Sequence, residues 1–578
     1  VNTIRDARDQ RDEGDVTTAT ELGTDSAPSE AVTYDVAILG SGMAGSILAA
    51  ILARQGANVL LLDGGQHPRF SIGESTIPYT LLTLRTLAER FDVPEIAALA
   101  SFTDTTKALG PRFGIKRHFG FMLHHEGAPQ NPLEVNEFGT PPHVLHEAAH
   151  YFRQDVDYYL FQVAAKHGAK IRQNFIVDDV DFDDSGVTLS GKRGEFRARY
   201  VVDASGFRSP IAQKLGLRED PVRFKHHSRS MWNHALNVTR TDDLFTHVQA
   251  DLKPPNPWYE GTVHHMFEGG WAWVIAFDNN KWSTNPLCSI GMTVDPRKYP
   301  KIPGMSPEED FARLCAPFPD IQRQFEGAVP VREWISTDRL QYSSKTTVGD
   351  RWTLLAHAAG FIDPLFSRGL SNTTEAINVV AWRLLRAIKD DDFSAERFKH
   401  VDRLQQSMLD CNDELVNAAF ISWKDYALWT AVFRIWGWGA NAGTYRMQEA
   451  LSKFREDGRD EHFTALEDVP HIGLYWPDND GFAELHNLMV KQIDAFEAGA
   501  TTAAEATDVL YDEIQRADYF PKGFGLAERE VRFIRPSPRN MLNLVRWATK
   551  EGDPEVARML TANLRAAVKS RLRGKKLF

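Results

Sequence analysis

YDVAILGSGMAGSILAAILARQGANVLLLDGG, residues 34–65, decides the fold. An apolar strand runs into a glycine turn, a helix of small apolar residues follows, and a second strand ends in an acid. Gly40, Gly42 and Gly45 fit the pattern GxGxxG. The first glycine allows a tight turn, the second lets backbone approach a pyrophosphate, and the third packs helix on strand. Ser41 and Ala44 complete the turn, and the diphosphate would rest on amides at the helix N-terminus. Asp63 follows about 20 residues on, where an acid accepts hydrogen bonds from the adenosine ribose. A glycine turn without a ligand is the alternative, disfavoured by the two flanking strands and the placed acid.

Later segments choose the dinucleotide. HPRFSIGES (67–75) follows the motif, and VVDASGFRS (201–209) is a strand entering a small-residue turn suited to the adenosine half. GDRWTLLAHAAGFIDPLFSRGLSN (349–372) reads as a strand, a loop and the start of a helix. Segments from distant parts of the chain would enclose one long cofactor, which favours FAD over NAD.

At 578 residues the chain exceeds one ordinary core, so two or three units are expected. Residues 1–32 are polar and read as a disordered leader. Residues 33–378 read as the FAD-binding domain interleaved with a mainly antiparallel sheet domain, the sheet part being about 105–150 and 220–345. Residues 379–578 carry apolar residues at helical spacing and read as a helical region covering the substrate cavity. The fold class is therefore α/β, with a Rossmann-type FAD domain, a sheet domain and helices at the end. A net charge of −12 argues against nucleic acid or an anionic membrane as partner. Three cysteines without CxxC fit a reducing cytoplasm and exclude a disulfide scaffold or thiolate zinc site. No run is long enough for a membrane span, so a cytoplasmic protein is expected. The adjacent pairs His124–His125, His226–His227 and His264–His265 point apart on strands, and His400 with Asp402 does not share a helix face. No metal is expected.

FGIKRHFGF (113–121), taken as one strand, puts Phe113, Ile115, Phe119 and Phe121 on one face. Lys116 then shares the other with Gly114, His118 and Gly120, which would leave room beside its amine. Locally this is an edge-strand lysine in water. In GGWAWVIAF (269–277), Trp271, Trp273, Ile275 and Phe277 alternate and share a face, as a sheet core or a dividing wall.

The chain resembles the flavin-dependent halogenases of the glutathione-reductase-like flavoproteins, closest to members acting on pyrrole and phenolic rings. GSGMAG, HPRFSIGES, GIKRHFGF, FIDPLFSRGL and a WxWxIP-like GGWAWVIAF carry the resemblance. It implies that FAD arrives reduced from a separate flavin reductase and that flavin hydroperoxide and chloride or bromide give hypohalous acid. Lys116 would deliver that acid to an electron-rich ring, in antibiotic or other secondary metabolism. Oxygen is then a co-substrate, and the aromatic substrate is small, free or carrier-protein-tethered. The resemblance also implies cofactor contacts from Arg69, Gly73, Ser75, Arg153, Asp363 and Leu370, and halide contacts from the amides of Arg368 and Gly369. Trp271 and Trp273 would separate flavin from substrate. A surface salt-bridging role for Arg153 and a plain chain reversal at Gly369 are the alternatives.

The chain departs from the pattern at three places. The last proline of WxWxIP is Ala276. The usual Gly-Asp before the second FAD segment is Ala356–His357, which leaves Asp350 or Asp363 to supply that contact. Phe366 stands where tryptophan halogenases have a glutamate, which argues against free tryptophan. An aromatic hydroxylase, which would not need Lys116, and a non-catalytic binding protein on the same scaffold are the competing readings.

Overall fold

The computed structural model describes residues 33–139, 147–522, 525–534 and 537–572. The expected leader, 1–32, lies outside the described residues. β1 (Thr33–Leu39) lies in an eight-stranded sheet, between β2 (Val59–Leu62) and the strand Gly194–Asp203. All three run parallel, and Trp352–Leu354 adds a fourth parallel strand beyond Asp203. Leu39 pairs with Leu62 and with Asp203, and Asp203 with Leu354. That register sets the C-terminal ends of four strands side by side, so Gly40, Asp63, Ala204 and Leu355 follow at one edge. Alternate β1 residues enter different cores, Val36 and Ile38 on one face and Ala37 and Leu39 on the other. Both faces are covered, as a parallel sheet requires.

The second sheet has nine strands and is not wholly antiparallel. The strand Thr262–Phe267 runs parallel to His118–Leu123, and Phe533–Ile534 runs parallel to Val135–Gly139. Phe533–Ile534 belongs to the region expected to be purely helical. On the central strand Gly270–Ala276, Trp271, Trp273 and Ile275 face the C-terminal helices, whereas Ala272, Val274 and Ala276 face the other layer. Phe277 lies past the strand's end and packs on Phe152 instead.

Two boundaries differ from expectation. The helix Arg368–Asp390 runs through position 378 and packs its apolar residues on the core around the helix after β1. Residues 113–121 are two strands, Gly114–Lys116 and His118–Leu123, broken at Arg117. The first pairs with Ala148–His150 and the second with Val135–Gly139. Because Arg117 interrupts the alternation, Phe113 and Ile115 enter one core while Phe119 and Phe121 enter another. No described helix is long and apolar enough to cross a membrane.

Candidate active site

A cavity of about 750 Å³ opens at the aligned strand ends. Gly40, Gly42, Ala44, Asp63, Arg69, Arg153 and Leu370 line it, together with Ala204 and Leu355. Gly40 has φ of +93°, and a Cβ there would lie 2.7 Å from the Ala204 carbonyl oxygen. A Cβ on Gly45 would lie 1.9 Å from the Gly40 carbonyl oxygen, so this glycine serves helix–strand contact behind the cavity. Gly42 is different: a Cβ there would meet nothing within 4 Å. It is also the N-cap of α1 (Met43–Arg54) and gives no side-chain cap, which leaves first-turn amides for an anion.

Asp63 is 4% exposed and accepts from the Ser41 amide and hydroxyl, both at 2.6 Å. Arg69 adds a second charged bond at 2.7 Å, and the Gly65 amide another at 2.7 Å. Burial pushes the carboxyl up, but Arg69 and Ser41 together outweigh it and hold Asp63 well below the usual range. Arg153 is buried and not a surface residue. It holds Asp157 at 2.9 and 3.0 Å and donates to the Ile72 carbonyl at 2.8 Å and the Gly73 carbonyl at 3.3 Å. Gly73 has φ of +99°, and a Cβ there would approach Arg153 Nη1 at 2.8 Å. A cavity with an uncapped helix start, a glycine open to it and an ionised acid at its edge fits FAD. These residues would hold its diphosphate and ribose, and the bound group would supply the redox chemistry.

His357 lines this cavity in place of the missing acid, and the two expected substitutes do not. Asp350 accepts from the Ala395 amide at 2.7 Å. Asp363 is buried toward the sheet, with Ser228 at 3.3 Å, His226 at 3.5 Å and the Leu365 amide at 3.0 Å. Asp363 instead lines a smaller neighbouring cavity that also includes His357 and Gly369. Burial holds His357 near neutral form, its pKa pushed down to about 4. Gly369 lies under its ring, a Cβ there being 3.0 Å from His357 Nε2.

Ser367 precedes the Arg368 helix with φ of +51° and makes no side-chain cap, so the amides of Arg368 and Gly369 open the helix. The Arg368 side chain turns away, donating to the Gly473 carbonyl at 2.6 Å. Lys116 is 1% exposed, and burial holds its amine well below the usual lysine range. Nζ donates to Ser75 Oγ at 2.6 Å and lies 3.3 Å from the Phe119 ring centroid. Ser75, expected at the cofactor, is thus a partner of the lysine, and Ser367 Oγ donates to it at 3.0 Å. The glycines flanking Lys116 do not make room for the amine. A Cβ on Gly114 would strike the Ala276 carbonyl oxygen at 2.1 Å, and one on Gly120 would strike Trp258 at 2.8 Å. Trp271 and Trp273 pack tilted, with ring centroids 5.5 Å apart, in the core shared with Phe119, Phe366 and Trp436. Sequence reasoning missed Ser367, Thr262, His150 and His357. Only the last left a signal, as a departure from an expected acid.

A family model described as "FAD binding domain" matches residues 33–253. The chain is 48% identical over 542 residues to the tetracycline 7-halogenase of Kitasatospora aureofaciens, covering 93% of this chain and 97% of that protein. It is 44% identical over 494 residues to the monodechloroaminopyrrolnitrin halogenase PrnC of Pseudomonas fluorescens, covering 85% and 86%. The halogenase PltM, solved with phloroglucinol and FAD, superposes with a TM-score of 0.83 at 36% identity over 87% of this chain and 99% of that one. Identity over nearly the whole length sets aside the hydroxylase and the binding protein, and the chain belongs to the flavin-dependent halogenases.

Proposed function

We propose that Lys116 carries halogen to an electron-rich aromatic ring of phenol or pyrrole type. One observation carries the reading. The Lys116 amine is buried without an ion pair among the described residues, and a single hydroxyl, Ser75, links it to the residue that opens the Arg368 helix. The Arg368 and Gly369 amides would hold halide there, since amides at a helix start bind anions without a fixed cation. Bound FAD, supplied reduced by a flavin reductase as this family generally requires, would with oxygen oxidise the halide to hypohalous acid. A neutral amine can then orient that acid or form a haloamine, and burial lowers the amine's proton affinity in that direction.

The same site argues for an activated ring. Phe366 packs against Trp436 with ring centroids 4.9 Å apart, where an acid would otherwise assist ring deprotonation. Phenols and pyrroles lose that proton with less help. Relatives named for tetracycline and pyrrolnitrin, and PltM holding phloroglucinol, support the class and an antibiotic pathway. The test is mass spectrometry of products from purified protein with FAD, a flavin reductase, NADH, oxygen and halide. Phloroglucinol, a substituted pyrrole and tryptophan would be offered. Halogenated phenol or pyrrole without halogenated tryptophan is the expected result; efficient turnover of tryptophan would contradict it.

A further inference from the structure

We infer that Ser75, Thr262 and His150 are positioning residues that hold the Lys116 amine with its lone pair free, through a one-way hydrogen-bond chain ending on the Ala276 carbonyl. The inference rests on the reading of Lys116 as the halogen-carrying amine.

The direction of the chain follows from its anchor. A carbonyl oxygen only accepts, and His150 Nδ1 lies 2.9 Å from that of Ala276, so Nδ1 carries the hydrogen. Burial pushes His150 down to about 3, so the ring is neutral and Nε2 is bare. Thr262 Oγ1, 3.0 Å away, must donate to it. The Thr262 oxygen then accepts from Ser75 Oγ at 2.8 Å. With its hydrogen committed, Ser75 presents only lone pairs, and these receive Lys116 Nζ at 2.6 Å and Ser367 Oγ at 3.0 Å. Every member has its complement of partners, which makes the order of donors and acceptors unique.

A neutral amine has two hydrogens and one lone pair. One hydrogen goes to Ser75, and the second faces the Phe119 ring, whose centroid is 3.3 Å from Nζ. The lone pair therefore points away from both. Attack on the halogen of HOX forms N–X and breaks O–X. The departing hydroxide takes one N–H proton and leaves as water. The titratable groups facing the amine are His118, His150 and His264, with pKa values lowered to about 4, 3 and 3, so these rings are neutral and add no positive charge beside it near neutral pH.

The chain is tested by titrating Lys116 in protein labelled with ¹³Cε-lysine, its signal assigned by its loss in Lys116→Met. In Thr262→Val, which is close to isosteric, the Ser75 hydrogen has no acceptor and turns onto the amine lone pair. The proton affinity of Lys116 should then fall about tenfold, while Thr262→Ser restores the original midpoint. Ser75→Ala removes the acceptor that favours the ammonium and should lower the midpoint too, which keeps the test available if Thr262→Val does not fold. A midpoint unchanged or raised in these variants would overturn the chain. Halogenation surviving in Lys116→Ala would instead overturn the role of the lysine, a separate result.

Discussion

The Lys116 amine sits 3.3 Å from the centroid of the Phe119 ring, and that ring meets Trp436 edge-on at 5.3 Å. An aromatic face favours an ammonium by roughly 0.5–2 kcal/mol. Removing a charge from water without an opposite partner opposes it by several kcal/mol. Burial wins, and the amine's pKa is held well below the usual lysine range.

That balance sets a pH dependence of folding. Lys116 binds its proton more weakly folded than unfolded, so the unfolded chain takes up the extra proton between the two midpoints. Stability from this group is therefore lowest below the folded midpoint and rises with pH toward the ordinary lysine range. Lys116→Met should flatten that slope and raise stability near neutral pH by about 1–2 kcal/mol. Denaturant unfolding across the pH range measures both. A variant less stable than wild type, with the slope intact, would contradict the burial argument.

Gly42 and Gly45 separate two jobs within one motif. Gly45→Ala puts a carbon 1.9 Å from the Gly40 carbonyl oxygen and should destabilise the fold by more than about 3 kcal/mol. Gly42→Ala meets no protein atom and has φ of −68°, so apo stability should change by less than about 1 kcal/mol. Its methyl enters the cavity, so FAD affinity should still fall, by about tenfold or more. Thermal unfolding of apo protein and flavin fluorescence titration distinguish the two. Equal FAD affinity in Gly42→Ala would place the diphosphate elsewhere.

Asp63 ties the turn to the second strand through Ser41 and Arg69. Because its folded pKa is depressed, its stabilisation is complete above the ordinary carboxylate range and fades as acid protonates the folded form. Asp63→Asn should cost about 1–3 kcal/mol at neutral pH, less in strong acid, and weaken FAD binding. A loss of stability that does not shrink with acidification would point to packing instead of charge.

How much of this was legible in the sequence differs by element. The strand–turn–helix–strand at 34–65 was, because its glycines, spacing and acid are local constraints that the sheet register then satisfies. The shared face of Trp271, Trp273 and Ile275 was, since alternation on one unbroken strand fixes it. The face of Lys116 was not. Arg117 breaks the strand as its amide reaches the Glu260 carbonyl at 2.8 Å, a partner more than a hundred residues away that no local pattern reveals. Ser75 was misassigned for a related reason. The residues that claim it come from positions 116, 262 and 367, and only the folded chain brings them together.

The most direct measurement is product mass spectrometry with phenol and pyrrole rings for wild type and Lys116→Ala side by side, with FAD binding confirmed in both. Lys116 lies outside the residues lining the large cavity, so FAD affinity should be equal in the two proteins. Wild type should give halogenated ring, and Lys116→Ala at least about a hundredfold less, the scale of losing a group that acts in the transition state. Halogenation in Lys116→Ala at the wild-type rate would contradict the account at its centre.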